Sequence, residues 1–232
     1  IDVAALQQSF VRGMRPAGAV IHTGRQAEQL ARIGNRWQIT TSSGVLEADV
    51  VVNAAGAWGD DVARRAGLTP LGLTPLRRTA FMVASTQPGS GRWPLVADVE
   101  HRWYVKPDGS QFLCSPADET PSEPCDARPE EIDIARAIDA INDATTLAIR
   151  SVASAWAGLR TFGPDRTMAI GPDPEEPTFI WCVGQGGTGI QSSPGAGQLV
   201  ADLTLDGRPG PTFAGIDLDL AALTPGRFTR PS

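Results

Sequence analysis

Thr178-Phe179-Ile180-Trp181-Cys182-Val183-Gly184-Gln185-Gly186-Gly187-Thr188-Gly189-Ile190 carries a compact apolar run straight into four glycines within six residues. The apolar half has the length and the aromatic and β-branched content of a buried strand. Residues 193–205 then read as a helix, so the glycines stand at a strand-to-helix turn. Consecutive glycines let backbone N–H groups approach a ligand closely, and a helix N-terminus adds partial positive charge. Such a loop can face a phosphate, a carboxylate or the electron-rich edge of a cofactor ring; the plain alternative is an ordinary turn. Residues 184–189 also match G-x-G-x-x-G, but that dinucleotide fingerprint needs a second strand ending in an acid about 20 residues further on. The sequence there is Asp206-Gly207-Arg208-Pro209-Gly210-Pro211, which is turn chemistry, so no βαβ unit fits.

Upstream, Val50-Val51-Val52 is an uninterrupted β-branched run, as a strand buried in an α/β sheet requires. It breaks into Asn53-Ala54-Ala55-Gly56-Ala57-Trp58-Gly59, and a helix over 60–66 ends at Gly67. Residues 2–14 have apolar positions at helical spacing, with Asp2 as N-cap and Pro16 as the stop. Short strands are expected over 19–21, 25–33, 37–41 and 45–47. From residue 74 the text changes to strands over 76–84, 103–106 and 111–115, separated by Gly/Pro turns, which favours an antiparallel sheet. Pro107-Asp108-Gly109 reads as a hairpin turn and 115–129 as a loop. A helix is expected to begin with Pro129 at its first position and to bury Ile132, Ala135, Ile138 and Ile141. Strand text returns over 156–162 and 168–170.

The 25 glycines and 19 prolines in 232 residues exceed the average usage of about 12%, which implies many tight turns and rules out a helical bundle. A net charge of −6 without a Lys/Arg block excludes nucleic acid and anionic membrane as partners. No run approaches a membrane span, and two histidines, His22 and His101, leave too few parts for a histidine-rich metal site. Cys114, Cys125 and Cys182 are odd in number and lack CxxC spacing, so a reducing, cytoplasmic setting is the default expectation.

Three stretches together resemble the D-amino-acid oxidase superfamily of flavoproteins, nearest its glycine oxidase and sarcosine oxidase-like members. They are Ala48 to Trp58; Trp156-Ala157-Gly158-Leu159-Arg160-Thr161-Phe162 with Pro164-Asp165 and Ile170-Gly171; and Gly184 to Ile190 followed by Ser193-Pro194-Gly195. Their order fits over about residues 1–206. The family begins with a βαβ unit that this sequence lacks, and the chain starts with Ile1, so the expectation is the C-terminal part of a longer protein that binds FAD weakly by itself.

The resemblance implies a mixed α/β fold in which an incomplete FAD-binding domain (1–72 and 151–206) is interleaved with an antiparallel substrate domain (73–150), followed by an irregular tail (207–232). It implies that Arg160 anchors a substrate carboxylate, a task suited to a planar guanidinium, and that the Tyr104 hydroxyl assists. It places Gly184, Gln185, Gly186, Gly187, Thr188, Gly189 and Ile190 at the flavin, with Gln185 where histidine is common. Ala54, Gly56 and Trp58 fall beside the ribityl-pyrophosphate part, and Ala27 offers its backbone to adenine. The residue readings without the family are a strand-end arginine, a strand aromatic for Tyr104 and a core aromatic for Trp58. Gly158 occupies the position where sarcosine oxidase-type members carry a flavin-linked cysteine, so FAD is expected to be non-covalent. Arg77-Arg78-Thr79 departs from the family's basic residue, Gly and Gln, and puts a bulky charge near the substrate side or the domain junction.

The implied reaction is oxidation of the C–N bond of an amino acid or related amine bearing a carboxylate. The α-hydrogen leaves as hydride to the flavin and the imine hydrolyses. Two other readings stay open: a folded module without cofactor, and an NAD-dependent dehydrogenase built on the Gly184 loop. Sequence leaves the oligomeric state unassigned.

Overall fold

In the computed structural model, which describes residues 1–85 and 90–228, the Asp2 carboxylate accepts the Ala5 N–H at 2.9 Å and starts α1 (Val3–Met14). Pro16 sits in a 3-10 turn (Arg15–Ala17) that Gly18 closes in the left-handed region at φ +84°. Residues 19–21, expected as a strand, are irregular instead, because the chain leaves that turn with nothing to pair against. Then β1 (Ala27–Ile33), β2 (Arg36–Thr41) and β3 (Gly44–Ala48) form an antiparallel meander. The short β4 (Val51–Asn53) leads through a 3-10 turn (Gly56–Trp58) into α2 (Gly59–Arg65).

The chain next builds β5 (Thr74–Ala84), β6 (Val96–Ala97), β7 (Tyr104–Asp108), β8 (Gln111–Ser115), β9 (Thr120–Pro121), α3 (Glu131–Ala144) and β10 (Ser154–Phe162). Among the described residues these strands make one sheet in the order β10-β5-β8-β7-β6, with β9 paired to β5. β5 pairs antiparallel with β8 and β9, and β7 pairs antiparallel with β6 and β8. The hairpin turn lies at Gly109-Ser110, two residues beyond its expected centre, and Pro107 is a strand residue opposite Phe112. Proline is tolerated there because β6 pairs only with Tyr104 and Val105, so no neighbour needs the missing N–H. β9 interrupts the loop expected over 115–129, held by pairing to Leu76 and Arg77.

Helix α3 packs one face of this sheet through Ile134, Ala137, Ile138 and Ile141 against Phe81, Val83, Trp103, Val105, Phe112 and Cys114. The buried stripe is offset from the expected one. Ile132 and Ala135 face solvent, because the face that meets the sheet runs i, i+3, i+4, i+7 from Ile134; the helix itself begins at Glu131, after a Glu130 cap, rather than at Pro129. Burial pushes the Cys114 thiol up to about 12, which makes it an inert core group.

The last part returns as β11 (Ala169–Pro172), β12 (Phe179–Val183) and α4 (Gly189–Asp206). β12 pairs antiparallel with β11 and parallel with β4. The helix starts four residues earlier than its sequence reading. Pro194 is accommodated because the Ile190 carbonyl, which Pro194 cannot reach, accepts the Ser193 hydroxyl at 2.9 Å. Within residues 207–228 the tail is more ordered than an irregular segment: it makes 3-10 turns at Pro211–Phe213 and Pro225–Phe228, and Arg227 pairs with Asp165 at 2.7 Å. Residues 229–232 of that expected tail lie outside the described residues.

The chain divides into two compact units, Ile1–Leu73 with Phe162–Ser232, and Thr74–Thr161. The second therefore runs to Thr161, past the residue-150 boundary read from sequence, because β10 joins β5 in the sheet. In the first unit Trp37, Phe179 and Trp181 stack edge-on around a core that includes Leu30, Ala63, Leu71 and Val183. The Trp181 indole N–H donates to buried Asp173 at 2.8 Å, which removes the cost of burying its polar end. No described helix is long and apolar enough to cross a membrane.

Buried Asp60, in the first turn of α2, accepts the backbone N–H groups of Leu71, Gly72 and Leu73 at 2.8–3.1 Å. Asp60→Ala strands all three donors, so chemical denaturation should show a loss of about 3 kcal/mol or more. Asp60→Asn, which keeps one acceptor oxygen, should lose less.

Candidate functional site

Parallel pairing of β4 with β12 sets Asn53 opposite Trp181, so both strands end on the same side of their sheet. The turn after β4 (residues 54–58) and the glycine loop after β12 (residues 184–188) are therefore neighbours, although about 130 residues separate them in sequence. The crevice outside the carboxyl ends of parallel strands is where α/β sheets bind ligands. Gly59 tightens the junction, because a Cβ there would meet Leu73 at 2.7 Å and Val183 at 3.0 Å.

Each loop is held from below. Asn53 is buried, donates its amide to the Gly59 carbonyl at 2.9 Å and accepts the Ala55 N–H at 3.3 Å. That leaves Ala54 exposed, Gly56 at φ +56° and the Trp58 ring 45% exposed at the turn. Trp58 is thus not a core aromatic. In the other loop Gly184 and Gly186 sit at φ +77° and +53°. A Cβ on Gly186 would fall 2.3 Å from the Phe162 ring, and Phe162 bridges to Gln185. Gln185 turns its amide to Cys182 Sγ at 3.5 Å, while its carbonyl accepts the Thr188 hydroxyl at 3.0 Å. Burial raises the Cys182 thiol, partly offset by that amide. Gly187 and Thr188 are exposed, Gly189 is partly buried and Ile190 is half exposed.

Thr188, the N-cap of α4, makes no side-chain capping bond, so the first-turn N–H groups of α4 are left for another acceptor. Together the two loops offer backbone donors, a positive helix end and the exposed apolar surfaces of Trp58 and Ile190. That combination fits the electron-rich edge and flat face of a flavin ring. No strand follows α4 among the described residues, so the loop lacks the βαβ setting of a nicotinamide dinucleotide site. Ala27 sits apart, at the start of β1, where its carbonyl accepts the Arg65 guanidinium.

The second unit holds the other expected residues. Tyr104 lies between Trp103 and Val105, which face α3, so strand alternation turns the tyrosine to the opposite face of the sheet. Arg160, on β10, is partly buried, and its pKa is lowered by burial and then by the charge of Arg78, against the opposing pull of Tyr104, Glu119 and Asp118. Arg160 and Tyr104 are thus electrostatic neighbours. Among the described residues no carboxylate forms an ion pair or hydrogen bond with Arg160. Arg77 contrasts with it: its guanidinium reaches Asp118, Glu130 and Asp133 at 3.4, 2.7 and 2.7 Å. Gly158 is exposed on β10, with nothing within 4 Å of a Cβ placed there. No group of His, Cys, Asp and Glu among the described residues could hold a metal ion.

Sequence reading missed Phe162 as the floor under Gly186 and Asn53 as the clamp of the first turn. An asparagine directly after a β-branched run and before a glycine turn was the available signal for the second.

The family profile described as "DAO: FAD dependent oxidoreductase" matches residues 1–203. The chain is 29% identical over 201 residues to the mouse "FAD-dependent oxidoreductase domain-containing protein 1", covering 80% of this chain and 39% of that protein. It is 26% identical over 207 residues to glycine oxidase of Bacillus licheniformis, covering 88% and 54%. Its fold superposes on crystalline glycine oxidase from Geobacillus kaustophilus with a TM-score of 0.68 at 23% identity, over 90% of this chain and 53% of that one. The chain thus spans between about two fifths and just over half the length of these relatives.

The glycine loop yields a direct test. Gly186→Ala combines a left-handed backbone with a side chain driven into Phe162, and should cost at least ~2 kcal/mol in denaturation. It should also weaken FAD binding in a fluorescence titration, while Gly195→Ala, in open space inside α4, should leave FAD binding unchanged and, if anything, raise stability by up to about 1 kcal/mol.

Proposed function

Because the chain belongs to the FAD-dependent oxidoreductase family described as DAO, we propose that the full protein oxidises the C–N bond of an amino acid or a related amine that carries a carboxylate. Arg160 is the observation that carries the substrate half of this reading. It is a partly buried cation whose charge is opposed by desolvation and by Arg78, so a bound anion relieves both costs. A carboxylate meets the guanidinium through two parallel N–H donors, which fixes the direction of the attached α-carbon as well as its position. The Tyr104 hydroxyl, on the sheet face away from α3, is the second donor for the same carboxylate.

The cofactor half rests on the two neighbouring loops of the first unit. The N–H groups of residues 186–190 and the N-terminus of α4 would hold the pyrimidine edge of the flavin, where negative charge grows on reduction. Gly184 and Gln185 shape the entry to that loop, Ala54, Gly56 and Trp58 would flank the ribityl-pyrophosphate part, and Ala27 the adenine. Gly158 offers no thiol at the position of a covalent link, so the cofactor is held without a bond to protein. FAD, when bound, supplies the acceptor for the hydride that leaves the substrate carbon. The chain's own residues bind and orient, and the reaction demands no dedicated acid–base pair.

Steady-state oxidation by the FAD-loaded protein tests the assignment. Arg160→Ala should raise KM roughly ten- to a hundredfold, with the visible flavin spectrum unchanged. An unchanged KM removes Arg160 from the anchoring role, and a lost flavin spectrum shows that it serves the fold instead.

A further inference from the structure

Arg78 is the charged residue that the substrate reading leaves without a task. On β5, Arg77 turns to Glu130 and Asp133 of α3, so alternation turns Arg78 to the opposite face, the one that carries Tyr104. The strand beside β5 is β10, which carries Arg160. The Arg78 side chain is only 14% exposed; its Nη2 donates to Glu119 at 3.1 Å, and its Nε is buried without an acceptor. Buried guanidinium donors are rarely left unmatched. The nearby Asp118 cannot supply the match, since it is committed to Arg77 and to the Thr79 backbone and hydroxyl. Arg160 stands on the neighbouring strand and feels the Arg78 charge, so two guanidinium groups lie near one another, one paired with Glu119 and one without an ion-pair partner among the described residues.

Building on the carboxylate-anchoring role proposed for Arg160, we propose that Arg78 is a second anion-binding group and that the substrate is an amine with two carboxylates. One carboxylate pairs with Arg160, and the other meets the guanidinium of Arg78, whose donors are matched only in part by Glu119. The class comprises acidic amino acids and N-carboxyalkyl amines, whose two anionic groups lie a few bonds apart, comparable to the ~4.8 Å between neighbouring strands. A dianion quenches the repulsion between the two arginines, whereas a monoanion neutralises one of them. Arginine suits the position because its planar fork keeps further donors while Nη2 stays on Glu119.

Every group invoked lies within residues 74–161, so binding to the intact 232-residue chain reads the site directly. Glutarate and butyrate serve as probes, followed through the arginine Nε–H signals by NMR, with a thermal melt of each variant. Glutarate should bind about tenfold more tightly than butyrate. Arg78→Met should abolish that preference and leave butyrate binding no weaker, Arg78→Lys should cut the preference several-fold, and Arg160→Met should lose both ligands. Equal affinities in the unmodified chain overturn the inference and leave the anchoring role of Arg160 standing. So does a preference that survives Arg78→Met or, should that variant not fold, an undiminished preference in Arg78→Lys. Absence of butyrate binding, or binding indifferent to Arg160→Met, overturns the anchoring role and this inference with it.

Discussion

The parallel pairing of Val51–Asn53 with Phe179–Trp181 is the constraint on which the candidate cofactor site depends. Parallel strands end on the same side of a sheet, and that alone turns two loops distant in sequence into neighbours. Packing then fixes how close they come. Gly59 has no room for a Cβ against Val183, and Gly186 has none against Phe162. The aromatic core around Trp37, Phe179 and Trp181 holds the strands in register from beneath, while Asn53 and Asp60 satisfy the backbone donors and acceptors that the turn and the start of α2 would otherwise leave bare. Ala54, Trp58, Gly187 and Thr188 are left exposed, and Thr188 makes no side-chain capping bond at the start of α4. Rigid support beneath and open donors above is the arrangement a ligand site requires.

The second unit organises charge by the same use of two faces. Its sheet turns Phe81, Val83, Val105, Phe112 and Cys114 toward α3. Arg77 belongs to the helix side and is saturated by three carboxylates. One residue further along, the pleat sends Arg78 to the other face, where among the described residues it has one ion-pair partner, Glu119, and no acceptor at Nε. Adjacent arginines thus have opposite meanings: the first ties β5 to α3, and the second adds to the positive character around Arg160.

Much of this was legible in the residues. The Val50-Val51-Val52 run, the apolar 178–183 stretch and the glycines after it marked strands and turns because period and composition act locally. Asp2 marked a helix start for the same reason. Legibility failed where the deciding partner lies far away in sequence. Helix α3 buries Ile134 and Ala137 rather than Ile132 and Ala135 because the sheet beneath sets which stripe turns inward. Residues 154–161 join the second unit because β10 finds β5, and α4 starts at Gly189 because the hydroxyl of Ser193, the first residue of the expected helix, repairs the defect made by Pro194.

By itself, the sequence determined most of the longer strands and helices and the glycine loop, since these follow from local propensity, while a family resemblance singled out the lone tyrosine and Arg160 as candidates. Only the tertiary structure decided that the loops after β4 and β12 lie side by side, that Phe162 leaves no space at Gly186, and that Arg78 faces with Tyr104 rather than with Arg77. Those are consequences of strand pairing and packing, which bring together atoms that no local window of sequence contains.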